Sequence, residues 1–568
     1  MTKQVKDFYR QHSFVVFLTA SVIISFLMTF VFYGFDMAYQ WTDIRFHLAR
    51  ISGIVDGLEH GSLYPFVYFD AYPYGYGAGM FYPGLLLIPF CFLGLLGASS
   101  VFILQTVIFV VILGSIHSMR YAVSRLYGIN GYLAGFLYVC FPCFFYRFLS
   151  CALGRLMVGA FMPLVILGVY RLVRSYKGLL FSFSMAACFY ANPVSAVVIC
   201  FFVSVFFTGS LIISFIRDFT KGIFLFKRLL LSALFTLGLS ALAYLPIIGG
   251  MYLEGNDLFI KMIGPYKDIR AMCFFSLIND FLLSEKRAVF ISLTGMVIGF
   301  FVLLLLMFLV PKLKVRGREW LILSLVFIYI SSEFFPWIYL SSIVSSLEMP
   351  FRCLFMLDFC FVLFVTLNIE KLKPLVMSWC LACFGFMFML PLIAAKGDLG
   401  LHLLNEQDVP DGLSSFVGVY GAAFEYVPRK YMDWELEKHN IKYEDIPQLY
   451  KFFETEGYDA GYDGGINVYR RADGTFFFFA SYSGLYSLPF LYYPCYNITD
   501  SDGDLTVYSE GNRGFISAYL DSGLYEVRLK RTLWQNLGIA VSAFSFVTLV
   551  AILLFNRKKY YGGANENT

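Results

Sequence analysis

Phe14-Val-Val-Phe-Leu-Thr-Ala-Ser-Val-Ile-Ile-Ser-Phe-Leu-Met-Thr-Phe-Val-Phe32 is an apolar run without a charge. As a helix it is long enough to cross the hydrocarbon core of a bilayer. No small-residue cleavage site follows it, so it reads as a retained first transmembrane helix, 14–34, and not as a cleaved signal. Working outward, similar runs recur near 129–147, 157–172, 178–194, 196–215, 229–249, 288–310, 319–334, 352–369, 375–394 and 532–555. Residues 83–118 add one crossing plus a broken or re-entrant piece, since both termini on one side require an even number of spans. The composition agrees: of 568 residues, 59% are hydrophobic and 14% charged, with a mean hydropathy of +0.70. Lipid is the main solvent of such a chain. The expected fold is an all-α polytopic membrane protein of about 12 transmembrane helices.

Basic clusters set the expected orientation. Lys3, Lys6 and Arg10, then Arg171, Arg174 and Lys177, then Lys221, Lys227 and Arg228 all flank spans, as do Lys312 to Arg318, Lys371 with Lys373, and Arg557 to Lys559. The positive-inside rule places them, and both termini, in the cytoplasm of a cell whose plasma membrane the chain crosses. The segments left outside are 35–82, 148–156, 250–287, 335–351 and 395–531. Residues 396–530 hold 11 Lys+Arg against 21 Asp+Glu, whereas the whole chain is +4. The domains expected are a transmembrane module with outer loops (1–394), an acidic extracytoplasmic α+β domain (395–531), a last transmembrane helix (532–555) and a cytoplasmic tail (556–568). No nucleic acid partner is expected.

Within the outer domain, Gly474 to Tyr492 and Leu505 to Leu529 alternate aromatic or β-branched residues with small and polar ones. Turns are signalled by Ala472-Asp473-Gly474, Asp502-Gly503 and Glu510-Gly511-Asn512. Tyr431 to Phe453 reads as helical. Cys91, Cys188, Cys200 and Cys360 lie in apolar runs, where cysteine acts as a small hydrophobe. The CxxC pairs Cys140/Cys143 and Cys380/Cys383 sit in expected spans without a second ligand pair, which favours packing over zinc or redox chemistry. Cys495 stands by itself in the outer domain, so no disulfide is expected there.

The segment Trp41-Thr-Asp-Ile-Arg-Phe-His-Leu-Ala-Arg-Ile51 follows the first span on its outer side. As a helix it places Asp43, His47 and Arg50 at i, i+4 and i+7, so a carboxylate, an imidazole and a guanidinium share one face. That set can bind a metal or phosphate, or take a proton; equally it suits an amphipathic interfacial helix with a solvated face. Phe69-Asp-Ala-Tyr-Pro-Tyr-Gly-Tyr-Gly-Ala-Gly-Met-Phe-Tyr-Pro-Gly84 combines tyrosines with turn-permitting glycines. Such a loop either lines a sugar or lipid site or belongs to an interfacial aromatic belt. Tyr146-Arg147 with Arg155, Glu333 before Phe335-Pro-Trp337, and Met349-Pro-Phe-Arg352 lie on the same expected side. An arginine at membrane depth needs a phosphate or carboxylate partner, or must snorkel to the interface.

At these residues the chain resembles membrane glycosyltransferases of the GT-C superfamily, and in particular YfhO-like bacterial proteins and the membrane proteins labelled 6-pyruvoyl-tetrahydropterin synthase-related. The likeness rests on the D-x-x-x-H-x-x-R pattern at Asp43, His47 and Arg50 and the Phe81-Tyr82-Pro83 segment. It extends over Phe141 to Leu164, Phe335-Pro-Trp337, Met349-Pro-Phe-Arg352, Gly421 to Pro428 and Leu488-Pro-Phe-Leu-Tyr-Tyr493. The resemblance implies transfer of a sugar from a polyprenyl-phosphate donor to a cell-envelope polymer or glycolipid. Asp43 would then be the catalytic base, or a ligand of a divalent cation, Mg or Mn, that neutralises the departing phosphate. Arg352, Arg147 and Arg50 would hold the phosphate, and His47, Arg155, Glu333, Tyr74, Tyr76 and Tyr82 would meet substrate. Two positions depart from the family pattern. Gly154-Arg155-Leu156 stands where an acidic residue is expected, and Ala191-Asn192-Pro193 where relatives often carry a histidine. Loss of the second carboxylate leaves a single-Asp, metal-free mechanism or an impaired one. A lipid-linked saccharide flippase and a non-catalytic envelope scaffold are the alternatives; the flippase would want mid-span charges and repeated halves, and neither stands out.

Overall fold

A computed structural model describes residues 3–32, 35–36, 43–70, 74–141, 144, 147–148, 151–253, 257–258, 316–332, 334–336, 339, 352–372, 402–403, 427–438, 440 and 466–562. Helix α1 (Lys3–Phe26) continues into a π turn at Leu27–Phe32. α2 (Ile44–Glu59), α3 (Ala78–Phe81) and α4 (Ile88–Cys91) follow, and then α5 (Ser100–Tyr127), which begins on Ser99, whose Oγ accepts from Phe102 N at 3.2 Å. This splits residues 83–118 into a short broken piece and one long crossing. α6 (Tyr132–Val139) is only eight residues, so the expected span 129–147 is not one continuous helix. α7 (Leu153–Ser175), α8 (Leu179–Ala191), α9 (Pro193–Arg217), α10 (Phe219–Leu239) and α11 (Ala241–Ile247) form the next group.

Two breaks in this group have local causes. Proline at the first position of α9 has no N–H to donate, and Asn192 caps that helix by accepting Ser195 N at 2.9 Å. α8 therefore stops at 13 residues. Asp218 caps α10 by accepting Lys221 N at 3.1 Å, so this crossing starts before the expected 229–249 and ends at Ser240. α12 (Arg318–Ile330) overlaps the expected span 319–334, and α13 (Leu354–Leu367) lies within the expected span 352–369. α14 (Arg429–Lys438) and α15 (Leu533–Gly562) complete the described helices. The spans 288–310 and 375–394 lie outside the described residues, as do 439 and 441–453 of the expected helix 431–453, while Asn440 adopts a left-handed turn at φ +52. Among the described residues, six helices are long and apolar enough to cross a membrane, and three shorter apolar ones accompany them. The chain is a mostly helical, multi-pass membrane protein, and the described part accounts for six of the about 12 crossings expected.

The ends of the helices sort by charge. Arg171 donates to Tyr121 Oη at 3.3 Å, joining the ends of α7 and α5. Trp320 donates to Tyr127 Oη, and Asn368 exchanges hydrogen bonds with the backbone of Arg316 at 2.9 and 2.8 Å. Arg125, Arg171, Arg174, Arg316, Arg318 and Lys371 thus share one end of the bundle.

The C-terminal strands form two antiparallel sheets. β1 (Phe35–Asp36) pairs only with β2 (His402–Leu403). β3 (Tyr469–Arg470), β4 (Phe476–Ala480), β10 (Gly523–Leu529), β6 (Tyr496–Thr499) and β7 (Leu505–Thr506) make a five-stranded sheet in that order; β5 (Gly484–Leu491), β9 (Phe515–Leu520) and β8 (Tyr508–Glu510) make a second. Alternation buries one face: Phe476, Phe478 and Ala480 point inward while Phe479 is exposed. Phe490 of β5 packs at 5.2 Å on Phe476 and at 5.5 Å on Tyr496, joining the sheets. Each such ring contributes roughly 2 kcal/mol of burial. The expected turns are present, with left-handed Gly474 and Gly503 at φ +80 and +87.

Candidate functional site

The site is built at the end of the bundle opposite the basic one, where α2, α7, α9 and α13 begin. Asp43 occupies the N-cap position of α2 but makes no side-chain cap bond. Its carboxylate faces Arg155, in the first turn of α7, at 4.0 Å, with 35% and 23% of the two side chains exposed. One turn along α2, His47 is buried and its Nδ1 has no hydrogen-bond partner among the described residues. Burial first, and then the charges of Arg50 and Arg155, hold its pKa well below the usual 6.5, so the imidazole is neutral at physiological pH.

Arg50 is buried and committed. Its Nη2 donates to the carbonyls of Tyr82, at 3.1 Å, and Pro83, and its guanidinium lies 4.4 Å from the centre of the Tyr82 ring. Arg50 thus grips the loop that carries Tyr82. Tyr82 in turn accepts from Asn192 Nδ2 at 3.3 Å. Gly154 allows this approach, because a Cβ there would collide with the Tyr82 hydroxyl and lie 2.7 Å from the Ala191 carbonyl. Arg352 Nη1 donates to Asn192 Oδ1 at 3.0 Å and to Ser195 Oγ at 2.8 Å. The two departures from the family pattern, Arg155 and Asn192, therefore fall beside Asp43 and Tyr82.

Other expected site residues are placed elsewhere. Arg147 forms a buried ion pair with Asp358 of α13. Of the partners open to an arginine at that depth, the one seen here is a carboxylate inside the span. Tyr74 is buried with its ring edge-on to Phe515 at 5.1 Å, and its carbonyl accepts from Leu491 N at 2.9 Å. Tyr76 is fully buried and pairs through its backbone with Tyr68. Both belong to the seam between the loop and the sheets. Glu333 lies outside the described residues. Ser195 and Asp358 were not anticipated, and Asn192 was singled out only as a departure from the family pattern. A lone aspartate in the run Leu354–Leu367 was the readable signal for Asp358.

For a divalent cation, the described donors fit poorly. Among the described residues there is no group of three His, Cys, Asp or Glu placed to hold a metal ion, and Asp43 has a guanidinium at 4.0 Å. Hard cations favour several oxygen ligands.

No family model matches the chain, and no curated protein does. Among solved structures it is similar to one described as the single-particle cryo-EM structure of arabinofuranosyltransferase AftD from Mycobacteria, at 14% identity and a TM-score of 0.41. The match covers 67% of this chain and 27% of that one.

Proposed function

We propose that the chain is a GT-C-type membrane glycosyltransferase that moves a sugar from a polyprenyl-phosphate donor onto a cell-envelope polymer or glycolipid at the extracytoplasmic face. The observation that carries the reading is the half-exposed Asp43–Arg155 pair, with neutral His47 behind it and Tyr82, Asn192 and Arg352 alongside. Five separate segments contribute, at the end opposite the basic cluster. By the positive-inside rule that end faces away from the cytoplasm.

In the reaction, the acceptor hydroxyl attacks the anomeric carbon and its proton passes to the Asp43 carboxylate. The bond from that carbon to the phosphate oxygen breaks, and polyprenyl phosphate leaves as an anion. Arg155 and Arg352 oppose its charge, acting where negative charge develops. Asn192 and Ser195 aim Arg352, and Arg50 fixes the loop carrying Tyr82. The charge that a metal ion would supply comes from guanidinium groups.

Mass spectrometry of envelope glycans from cells carrying the wild-type chain or Asp43→Asn tests this. The variant should be made and inserted normally, with sugar incorporation reduced on the order of 10²-fold or more. Undiminished incorporation would favour a scaffold.

A further inference from the structure

α2 is gripped at both ends. Asp43 stands at its N-cap with His47 and Arg50 in the two turns that follow, and its last turn is held by the sheets. Arg470 Nη1 reaches both oxygens of Asp56, at 2.7 and 2.9 Å, and the two side chains are 23% and 15% exposed. The same guanidinium stacks over Phe69 at 5.4 Å and Phe476 at 5.2 Å. His60 Nδ1 adds a contact of 3.2 Å to Asp56, and the β3–β4 turn rests on His60, where a Cβ on Gly474 would lie 3.1 Å from that of His60.

Between its ends the helix has no room to bend. Leu48, Ala49, Ile51 and Ile54 are all fully buried; close-packed interiors pass displacement on instead of absorbing it. At 16 residues, α2 is a strut of about 24 Å. The sheets hold a second border of the site too. Leu491 N donates to Tyr74 O at 2.9 Å, and Gly77 lies against the ring of Tyr493, with 2.7 Å left for a Cβ. That loop ends at Tyr82.

We infer that Arg470 and Asp56 are positioning residues: through α2, the sheets set where the Asp43 carboxylate stands relative to Arg155. The importance of that carboxylate rests on the transferase reading; the mechanical coupling does not. A transferase with a sheet seated on its catalytic helix can be tuned by whatever moves the sheet.

Hydrogen–deuterium exchange of the full-length chain in detergent tests the coupling without a substrate. Arg470→Gln should speed exchange on the order of tenfold along residues 44–50, far from the substitution. Arg470→Lys, which keeps a cation near Asp56, should restore most of the protection. Faster exchange confined to residues 56–60 and 469–476, or none, overturns the inference, and so does failure of lysine to rescue. In a sugar-transfer assay, Arg470→Gln should lower kcat on the order of tenfold with little change in KM. An equal fall in the amount of folded protein would assign a merely structural role. A wild-type chain without transferase activity would refute the transferase reading and leave the exchange pattern to decide the coupling.

Discussion

Two of the Arg–Asp pairs among the described residues sit in contrasting surroundings. Arg147 and Asp358 are 3% and 0% exposed, sealed between α13 and the segment leading into α7. Arg155 and Asp43 are 23% and 35% exposed and stand 4.0 Å apart where helices begin. A sealed pair cannot exchange partners without unfolding, whereas an open, loosely spaced one can admit a ligand's hydroxyl or phosphate. Identical side chains thus suit stability in one place and, on the proposed transferase reading, chemistry in the other.

The largest effect should come from breaking the sealed pair. Asp358→Ala leaves Arg147 without its carboxylate in a buried setting and should cost about 3–5 kcal/mol, read as a lower thermal midpoint in detergent. The double replacement Arg147→Met/Asp358→Leu should recover most of that loss; a double variant no better than the single one would contradict the pairing.

Next comes Arg352→Gln, which removes charged hydrogen bonds to Asn192 and Ser195. It should destabilise by about 1.5–3 kcal/mol in the same assay, and it should also raise KM for the lipid-linked donor.

A pH scan sharpens the contrast further. The folded state keeps His47 neutral, because burial and two guanidiniums push its pKa well below 6.5. The unfolded chain therefore takes up the proton first as pH falls through 6.5. Stability from this group is complete above that pH and declines below it by about 1.4 kcal/mol per unit, until the folded imidazole also protonates. His47→Gln should remove this part of the pH dependence of the thermal midpoint.

Smallest should be the effect of Asp43→Asn on stability. The pair is partly solvated, so the thermal midpoint should move by no more than about 1 kcal/mol equivalent. A loss as large as that of Asp358→Ala would mean that the open pair is structural after all.

Much of this was readable in the residues, for definite reasons. Apolar runs located α1, α7, α9, α12, α13 and α15 because lipid demands continuous apolar helix. The same signal failed at Ser240, inside the expected span 229–249, where hydrophobicity continues while the backbone breaks; at Asn192-Pro193 it set the break only a few residues late. Helical spacing put Asp43, His47 and Arg50 on one face of α2. Spacing could not reveal that Arg50 would be consumed by the Tyr82 and Pro83 carbonyls, nor that Arg147 would meet Asp358, since both depend on contacts distant in sequence. The tyrosines of 74–82 looked alike in sequence; Tyr82 borders the site, whereas Tyr74 packs against Phe515 of the sheets and Tyr76 is buried and paired with Tyr68.

The open pair as the seat of chemistry is tested most directly by purified chains in liposomes given a radiolabelled polyprenyl-phosphate sugar and an envelope acceptor. Wild type and the Arg147→Met/Asp358→Leu chain should both transfer label, and Asp43→Asn should transfer almost none. Transfer by Asp43→Asn at the wild-type rate would contradict the account.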